Sequence, residues 1–243
     1  MDQKKPLGLS LIIPCYNEKK NINPLLKSLK ELSKSVYFPF EVILVDGNSD
    51  DGTSELLKEE FLSLDPKNFS LLLLQSRNGY GFDILQGLKK AKHQILAWTH
   101  ADLQTDVKDV EKAYDKLISS KGNKVIIKGN RKKRNIVDLI LTFGMQIIAF
   151  FYLKTYLKDI NAQPKVFRRE FYENFLKKNA PNDFSLDLFT LYIAKKNKYL
   201  IKSIPVFFKS RIHGKAKGGG GSWKNRFNLI KRTFKYIKEL SLP

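Results

Sequence analysis

Hydrophobic and polar positions in the first half of the chain follow two alternating patterns. Short runs rich in Leu, Ile and Val predict buried strands. These runs are LGLSLIIPC, FEVILVD, FSLLLL and QILAW. The segments between them, such as INPLLKSLKEL and FDILQGLKKAKH, repeat apolar residues about every 3.6 positions and predict helices. Continuous apolar strands separated by helices favour a parallel sheet with right-handed crossovers.

The second half contains a long apolar segment at residues 135–153, after a further predicted strand, KVIIKGN. Asp138, Thr142 and Gln146 are spaced by four and form a narrow polar stripe on the predicted helix. A helix that spans a membrane needs about 20 consecutive apolar residues, and Asp138 and Gln146 interrupt this run. We therefore expect either a helix buried in the protein on its polar stripe or a helix that lies in a membrane interface.

The last predicted element is a basic amphipathic C-terminal helix. Its apolar face carries Trp223, Phe227, Ile230, Phe234 and Ile237, and Lys and Arg side chains occupy the other faces. This pattern is typical of a helix on a membrane surface, although a helix docked on the domain with a solvated basic face has the same pattern. The glycine-rich segment 214–222 before it predicts a flexible tether or a mobile loop.

These patterns predict two parts of the chain. Residues 1–217 are expected to form one domain, which includes the apolar helix as residues 135–158. Residues 218–243 are expected to form the tether and the basic helix. A chain of 243 residues with 42% hydrophobic residues can bury a core of this kind, which excludes a disordered protein.

The positive charge of the chain is concentrated in its second half. Residues 1–120 carry 16 Lys and Arg and 17 Asp and Glu, whereas residues 121–243 carry 28 and 7. Such asymmetry indicates a polyanionic partner, either nucleic acid or the anionic face of a membrane, and composition does not separate the two. The basic run RKKR at residues 131–134 lies beside the apolar helix and is expected to contact anionic lipid or phosphate, with a solvated surface as the alternative.

The single cysteine and the amino terminus bear on the compartment. Cys15 is the only cysteine, which excludes an internal disulfide and a cysteine-based zinc site and suits a reducing cytosol. The N-terminal residues MDQKKPLGLS lack the apolar segment of a secretory signal. We expect a cytoplasmic protein that is peripheral at the inner face of the membrane.

Polar residues follow each of the four predicted strands in the first half. They are Tyr16, Asn17 and Glu18, then Asp46, Asn48, Ser49 and Asp50, then Arg77 and Asn78, and finally His100, Asp102 and Gln104. In parallel sheets ligands bind beyond the carboxyl ends of the strands, so these residues predict one site. Asp46 and Asp102 suit a nucleotide with a hard divalent cation such as Mg²⁺ or Mn²⁺. His100, Asp102 and Gln104 alternate, so on an extended chain they would point to one side.

Two common nucleotide-binding motifs are absent from the sequence. The turn after the first strand reads IIPCYNEKKN and has no G-x-G-x-x-G, which weighs against an oxidoreductase that binds a dinucleotide. The sequence also has no G-x-x-x-x-G-K-[ST], which excludes a P-loop nucleotide hydrolase.

The strand-end motifs carry a resemblance to a known family. LSLIIPCYNEKKNINPLL, FEVILVDGNSDDGT, RNGYG and HADLQ, in this order, resemble the family 2 glycosyltransferases with the GT-A fold. Later segments are similar to the dolichyl-phosphate mannose synthase branch, the polyprenyl-phosphate glycosyltransferases. These segments are KGNRKKR, DINAQPKVFRREF, DFSLDLFTLYIAKKNKY and PVFFKSRIHGKAK. The resemblance covers about residues 9–217 and implies a Rossmann-like α/β fold with a mixed, mostly parallel sheet flanked by helices.

The resemblance also implies roles for individual residues. It assigns Pro14, Tyr16 and Glu18 to the base and ribose of a nucleotide sugar and Asp46 to the nucleoside. The same donor site includes Arg77, His100 and Arg211, and Arg131 and Arg211 match arginines near the phosphates. In this family a divalent metal at the fourth strand bridges the two phosphates of the donor, where a cation stabilises the departing nucleoside diphosphate. Here Asp102 is the expected principal ligand, with Gln104 assisting.

His100 stands where the family usually has an aspartate. An imidazole ligates Mn²⁺ tolerably and Mg²⁺ poorly. We expect His100 to ligate a softer metal or to hydrogen-bond the donor or its phosphates. The alternative is a histidine with satisfied hydrogen bonds at a strand end, with the metal held by Asp102 alone.

The catalytic base depends on the acceptor. A polyprenyl phosphate attacks through its own oxygen and needs little general base, whereas an alcohol needs a carboxylate to take its proton. Asp183 and Asp187 are the candidates, and Asp187 aligns better with the family aspartate. The alternative for Asp187 is a carboxylate at a helix N-terminus, stabilised by the helix dipole. DINAQP at residues 159–164 replaces the family pattern D-x-x-x-G-F of this loop.

The resulting hypothesis is a metal-dependent, inverting glycosyltransferase. It transfers a sugar from a nucleotide-sugar donor to a polyprenyl phosphate or another membrane-associated acceptor in cell-envelope glycan biosynthesis. The same transferase acting on a soluble glycan acceptor is the main alternative. A nucleic-acid-binding protein rests only on the basic half and lacks a recognised binding motif. A catalytically impaired family member, in which His100 marks the loss of metal use, is the fourth alternative.

Overall fold

A central β-sheet of seven strands organises the protein. The computed structural model describes residues 5–132, 136–211 and 223–241. The strands are β1 Leu9–Cys15, β2 Phe40–Asp46, β3 Phe69–Leu73, β4 Ile95–Trp98, β5 Val125–Lys132, β6 Lys165–Arg168 and β7 Leu200–Phe207. The helices are α1 Lys19–Ser35, α2 Thr53–Phe61, α3 Tyr80–Lys90, α4 Asp109–Ile118, α5 Ile136–Leu153, α6 Arg169–Phe171, α7 Leu186–Lys196 and α8 Trp223–Ser241. A π-helical turn, Tyr172–Leu176, continues α6.

The sheet is mixed and mostly parallel, as the family resemblance implied. Its strand order is β3-β2-β1-β4-β6-β5-β7. The strand β6 runs antiparallel to its two neighbours, β4 and β5, and the other neighbouring pairs are parallel. The first four strands match the predicted runs, and the helices between them cover the predicted periodic segments.

The apolar runs become strands because both of their faces are covered. Every residue of β2 is buried, and in β1 only Pro14 is partly exposed. On one side of the sheet, Leu25, Leu29 and Leu32 of α1 join the core that covers β1 and β2. On the other side, α3 covers the same strands with residues such as Ile84. This two-sided burial explains why these strands lack the alternation of half-exposed strands.

The second half adds a smaller helical core beside the sheet. The helices α5 and α8, both predicted from the sequence, pack against each other, with the rings of Tyr152 and Phe234 5.4 Å apart. Ile237 of α8 is fully buried with Leu153 of α5 and Leu188 of α7. The carboxyl-terminal half of α8 therefore docks on the protein.

Part of the predicted apolar and basic patterns lies outside the described structure. Gln146 of the polar stripe is buried, whereas the side chains of Asp138 and Thr142 are outside the described residues. The segment 214–222 and the last two residues of the RKKR run are also outside them. Within the described ranges, no helix combines the length and apolar character that crossing a bilayer requires.

Two differences from the sequence-based expectation concern local geometry. The helix α4 and the strands β6 and β7 were not predicted. The strand β4 ends at Trp98, and the chain then turns, with Leu103 at φ 55° in the left-handed region. His100, Asp102 and Gln104 are therefore not on an extended chain, and their alternation does not place them on one side.

Candidate active site

The predicted site residues gather at the carboxyl ends of the parallel strands. The register places Cys15 at the end of β1 beside Asp46 at the end of β2, and Pro14 beside Val45. The backbone N–H of Gly47 donates to the carbonyl of Cys15 at 2.8 Å. The loops that follow the two strands therefore start side by side, as expected at this edge of a parallel sheet.

Asp46 holds the loop that follows β2. Its buried carboxylate accepts hydrogen bonds from the hydroxyls of Ser49 and Ser54, both at 2.6 Å, and from the backbone N–H of Ser49 at 3.2 Å. Asn17 and Asp50 join this loop to the loop after β1, because the Asn17 amide bonds the Asp50 carboxylate at 2.6 Å. Asp46 thus fixes the loop that follows β2, and its assignment to the nucleoside stays a prediction.

Tyr16, Arg77 and Asp83 form a second group at the same edge. The guanidinium carbon of Arg77 lies over the ring of Tyr16, 4.1 Å from its centroid. Nη1 of Arg77 donates to Oδ2 of Asp83 at 2.9 Å. Burial of Asp83 raises the pKa of its carboxyl to about 6, even though the charge of Arg77 lowers it.

Arg211 joins two carboxylates from different strand ends. Its guanidinium donates to Oε1 of Glu18 at 3.2 Å and to Oδ2 of Asp102 at 2.6 Å. Glu18 also accepts from the side-chain amide of Asn21 at 2.5 Å. Both carboxylates are buried, so their convergence needs a cation. In the structure the guanidinium of Arg211 supplies that charge.

Gln104 fixes the segment that carries Arg211. Its side-chain amide donates to the backbone carbonyl of Lys209 at 3.2 Å, and the backbone carbonyl of Gln104 accepts from the Lys209 backbone N–H at 2.8 Å. The backbone N–H of Gln104 donates to Oδ1 of Asp102 at 3.1 Å. The turn after β4 and the segment after β7 are therefore one connected unit.

His100 belongs to a buried polar network rather than to the Asp102 pair. Nε2 of His100 lies 3.0 Å from the hydroxyl of Tyr80. That hydroxyl donates to Asp187 at 3.4 Å, and the side-chain amide of Gln163 donates to Asp187 at 3.0 Å. Lys165 completes the network through an ion pair with Asp187. Burial raises the pKa of Tyr80 well above its ordinary value and lowers that of Lys165, whose partner Asp187 opposes the shift.

Asp187 lies in the first turn of α7. This is the position expected under the alternative, in which the dipole at a helix N-terminus stabilises the carboxylate. Its carboxylate is buried and receives hydrogen bonds from three side chains, those of Tyr80, Gln163 and Lys165. Its role as a general base remains a prediction.

Arg131 is held by Asp159. The Asp159 carboxylate accepts from the backbone N–H of Arg131 at 2.8 Å and from its Nε at 2.9 Å. Burial alone would raise the pKa of Asp159, but the hydrogen bonds and charge of Arg131 outweigh it and hold that pKa below its ordinary value. The guanidinium also lies 5.3 Å from the ring centroid of Phe208. Arg131 is therefore fixed at the end of β5.

Several members of the site were not predicted as site residues. They are Tyr80, Asp83, Gln163 and Lys165. Tyr80 and Asp83 follow Arg77 within the motif RNGYGFD, which was the available signal. Lys165 lies in a strand that the hydrophobic pattern did not reveal.

The residues present fit a hard divalent ion. Among the described residues, no three His, Cys, Asp or Glu side chains converge on one point. Mg²⁺ and Mn²⁺ often use only one or two protein carboxylates and take further oxygens from substrate phosphates. The Asp102 carboxylate, already paired with a cation in Arg211, is a donor of this kind.

Comparison with known proteins identifies the family. The sequence model named Glycosyl transferase family 2 matches residues 10–183, which include the four strand-end loops. The chain belongs to glycosyltransferase family 2. This membership makes the protein a glycosyltransferase and confirms the resemblance drawn from the motifs.

Two curated relatives share the family. A dolichyl-phosphate beta-glucosyltransferase of Dictyostelium discoideum is 25% identical over 255 residues, covering 98% of this glycosyltransferase and 78% of the relative. An undecaprenyl-phosphate 4-deoxy-4-formamido-L-arabinose transferase of Pseudomonas fluorescens is 24% identical over 216 residues. That alignment covers 86% of this chain, and the chain spans 59% of the relative's length.

Solved structures support the GT-A fold. Glucosyl-3-phosphoglycerate synthase of Mycobacterium tuberculosis, solved with Mn²⁺, UDP and glucosyl-3-phosphoglycerate, superposes with a TM-score of 0.70 at 13% identity, covering 97% of this chain and 80% of that one. A mannosyltransferase of Pyrobaculum calidifontis, solved with GDP-Man and Mn²⁺, gives 0.64 at 15% identity, covering 98% and 74%. At these identities the likeness concerns the fold alone.

Proposed function

We propose that this glycosyltransferase transfers a sugar from a nucleoside diphosphate sugar to a polyprenyl phosphate, with a divalent metal and inversion at the anomeric carbon. The observation that carries the donor part is the convergence of Glu18, Asp102 and Arg211 at the strand ends. The two curated relatives, whose names specify dolichyl and undecaprenyl phosphate, support the acceptor part.

The residues at the strand ends have distinct tasks in this reaction. Tyr16 and Arg77 bind the base, and the loop held by Asp46 and Ser49 encloses the nucleoside. Asp102 is the carboxylate that would hold Mg²⁺ or Mn²⁺. The ion would supply positive charge against the departing diphosphate.

Arg211 lies between two carboxylates of the site. Its guanidinium forms ion pairs with Glu18 and Asp102. A metal held by Asp102 would free the guanidinium of Arg211, which would then bind the donor phosphates in a bidentate manner. Arg131 supplies a second, fixed guanidinium at the end of β5.

The transfer itself is a single displacement. An oxygen of the acceptor phosphate attacks the anomeric carbon as the bond from that carbon to the donor phosphate breaks. The leaving group is the nucleoside diphosphate, and the acceptor phosphate oxygen is already ionised, so little base catalysis is required. Asp187 in its ion pair with Lys165 then serves to position Tyr80 and Gln163.

The donor part is tested by release of nucleoside diphosphate. Purified protein is incubated with UDP-sugars and GDP-sugars in the presence of Mn²⁺, Mg²⁺ or EDTA. We expect turnover of at least one donor that depends on the metal. The absence of metal-dependent turnover with every donor would overturn the enzyme mechanism proposed here.

Asp102→Ala removes the carboxylate that is proposed to hold the metal. We expect turnover to fall by at least about 100-fold, because the protein would no longer hold the metal ion whose positive charge stabilises the leaving group. Asp106→Ala is the matched control, since Asp106 is exposed and its carboxylate accepts a local backbone hydrogen bond from Lys108 in the turn. Equal loss in both variants would contradict the role of Asp102.

An apolar and basic surface supports the membrane part of the proposal. Ile147, Phe150, Phe151, Tyr152 and Tyr156 are exposed on and just after α5. Lys231, Arg232, Lys235 and Lys238 are exposed on α8, which packs against α5. Exposed aromatic residues beside a row of cations match the interface of an anionic membrane. We call these nine residues the α5–α8 surface.

Vesicle flotation tests the α5–α8 surface. We expect vesicles with phosphatidylglycerol to retain the protein and neutral phosphatidylcholine vesicles to retain far less. Phe150→Ser combined with Phe151→Ser should weaken retention by about tenfold or more, because two large side chains lose contact with the acyl region. Leu62→Ser is the control, since Leu62 is 87% exposed but lies beyond α2. Failure of anionic vesicles to retain the unmodified protein would contradict membrane binding.

A further inference from the structure

Among the described residues, one buried carboxylate oxygen near the proposed donor site has no hydrogen-bond partner. Asp83, in the first turn of α3, is 1% exposed. Its Oδ2 accepts from Arg77 at 2.9 Å. Its Oδ1 is buried and has no hydrogen-bond partner within the described parts of the chain. A buried carboxylate oxygen without a hydrogen bond lowers the stability of the folded protein. Asp83 therefore calls for a functional explanation.

The neighbouring Asp46 provides the contrast. It is buried to the same degree and lies at the adjacent end of β2, but both of its oxygens accept hydrogen bonds from serine hydroxyls. The raised pKa of Asp83, about 6, reflects the poorer solvation of its carboxyl group. The structure can therefore satisfy a carboxylate in this region and leaves Asp83 half satisfied.

Gly47 makes room for the Asp83 carboxylate. A Cβ at position 47 would lie 2.5 Å from Oδ2 of Asp83 and 3.2 Å from Nη1 of Arg77. Any larger residue would push the pair out of place. Gly47, directly after Asp46, thus leaves space for the Asp83 carboxylate of α3 to reach the end of β2.

The surroundings of Asp83 suit a planar ligand. Arg77 connects Asp83 to the Tyr16 ring, over which its guanidinium lies at 4.1 Å. Only one of the Arg77 nitrogens bonds Asp83, and a guanidinium carries five N–H donors. The group offers an aromatic face, a set of N–H donors and one free carboxylate oxygen.

We propose that Asp83 is a specificity residue that recognises the base of the nucleotide donor. Its Oδ1 accepts a hydrogen bond from a ring N–H of the base, and Arg77 donates to the adjacent carbonyl. Uracil and guanine present this combination of N–H and C=O. The Arg77 side chain, itself 31% exposed, covers Asp83, and its movement admits the base. The inference rests on the proposed function, because it specifies how that donor site selects its nucleotide.

Binding of N-methylated nucleotides tests this contact directly. Calorimetry compares UDP with N3-methyl-UDP and GDP with N1-methyl-GDP, all in the presence of Mn²⁺. Methylation removes the ring N–H and leaves the diphosphate unchanged. We expect the unmodified protein to bind at least one parent nucleotide about 10- to 100-fold more tightly than its methylated form.

Asp83→Asn should abolish this discrimination. Arg77 needs an acceptor, so the introduced amide turns its oxygen toward Arg77 and its NH₂ group toward the base. Two donors then face each other, and the parent nucleotide should bind about tenfold or more weakly, close to the methylated form. Gly47→Ala should have a similar effect, since the new methyl group displaces the carboxylate.

A control separates recognition from folding. Glu41→Gln makes the same chemical change at a buried carboxylate at the start of β2, where it bonds Ser10 at 2.6 Å, and should leave nucleotide affinity unchanged. Thermal unfolding should show Asp83→Asn at least as stable as the unmodified protein, because a poorly solvated charge is removed.

The outcomes distinguish the two proposals. If the protein binds a parent nucleotide but shows equal affinity for its methylated form, or if Asp83→Asn leaves the discrimination intact, the role of Asp83 is wrong and the proposed function stands. If neither UDP nor GDP binds the unmodified protein, the proposed donor is wrong and the role of Asp83 is wrong with it.

Discussion

At the scale of residues, two lysines lie side by side inside the sheet. Lys128 of β5 and Lys165 of β6 are register partners and are almost fully buried. Lys165 pairs with Asp187, whereas Nζ of Lys128 bonds the carbonyl of the adjacent Gly129. Burial lowers the pKa of Lys128 to about 7, although Asp159 acts to raise it. The amine of Lys128 therefore changes its charge near neutral pH.

The pKa of Lys128 predicts a pH-dependent stability. Its folded value of about 7 lies below the ordinary value of 10.5, so between these pH values the unfolded chain binds more protons than the folded one. The unfolding free energy contributed by Lys128 should then rise with pH, by at most about 1.4 kcal/mol per pH unit. Lys128→Met should be more stable than the unmodified protein at pH 7, and this advantage should shrink toward pH 10.

Denaturant unfolding at several pH values measures that difference. Lys121→Met is the control, because Lys121 is exposed in the turn before β5. Its unfolding free energy should follow that of the unmodified protein across the range. A constant difference between Lys128→Met and the unmodified protein from pH 7 to 10 would contradict the buried, depressed lysine.

The positions of the candidate site residues were easier to predict from the sequence than their contacts. Strand-end position was enough to select Tyr16, Asp46 and Asp102, because parallel strands bring their carboxyl ends together. It did not predict that Nε2 of His100 would face Tyr80, since that contact depends on the turn after Trp98. The partner of Asp187 was likewise hidden, because Lys165 comes from a distant strand.

At the scale of elements, the short strand β6 brings the two halves of the sheet together. It inserts antiparallel between β4 and β5 and carries Lys165 toward Asp187 at the start of α7. Four residues with non-local pairing leave little periodic signal, so the pattern of apolar residues could not predict β6. The helices α5 and α8 were predicted because their patterns extend over several turns.

The Lys165–Asp187 pair is expected to fix β6 against α7. Lys165→Met should destabilise the fold by about 3–5 kcal/mol, because it leaves a buried carboxylate without its counter-charge. Adding Asp187→Asn should recover most of that loss, since the amide keeps an acceptor for Tyr80 and Gln163 without the charge. Chemical denaturation of the two single variants and the double variant measures the coupling. Additive losses in the double variant would contradict the pairing.

At the scale of the whole molecule, charge and exposed apolar surface are both concentrated in the second half. The first half is close to neutral and contains the strand ends to which we assign the nucleotide, whereas residues 121–243 carry 28 Lys and Arg against 7 Asp and Glu. The exposed aromatic residues of α5 belong to the same half. This division suits an enzyme that takes its donor from solution and its acceptor from an anionic surface.

Transfer of the sugar to a lipid phosphate can be tested directly through the reaction products. Mass spectrometry of the products should be performed with the donor that the protein turns over, Mn²⁺, and equal amounts of undecaprenyl phosphate, undecaprenol and 3-phosphoglycerate. We predict one glycosylated product, undecaprenyl phosphate carrying a single sugar, which is absent with EDTA. Glycosylated 3-phosphoglycerate or undecaprenol in place of the lipid phosphate product would contradict the proposed acceptor.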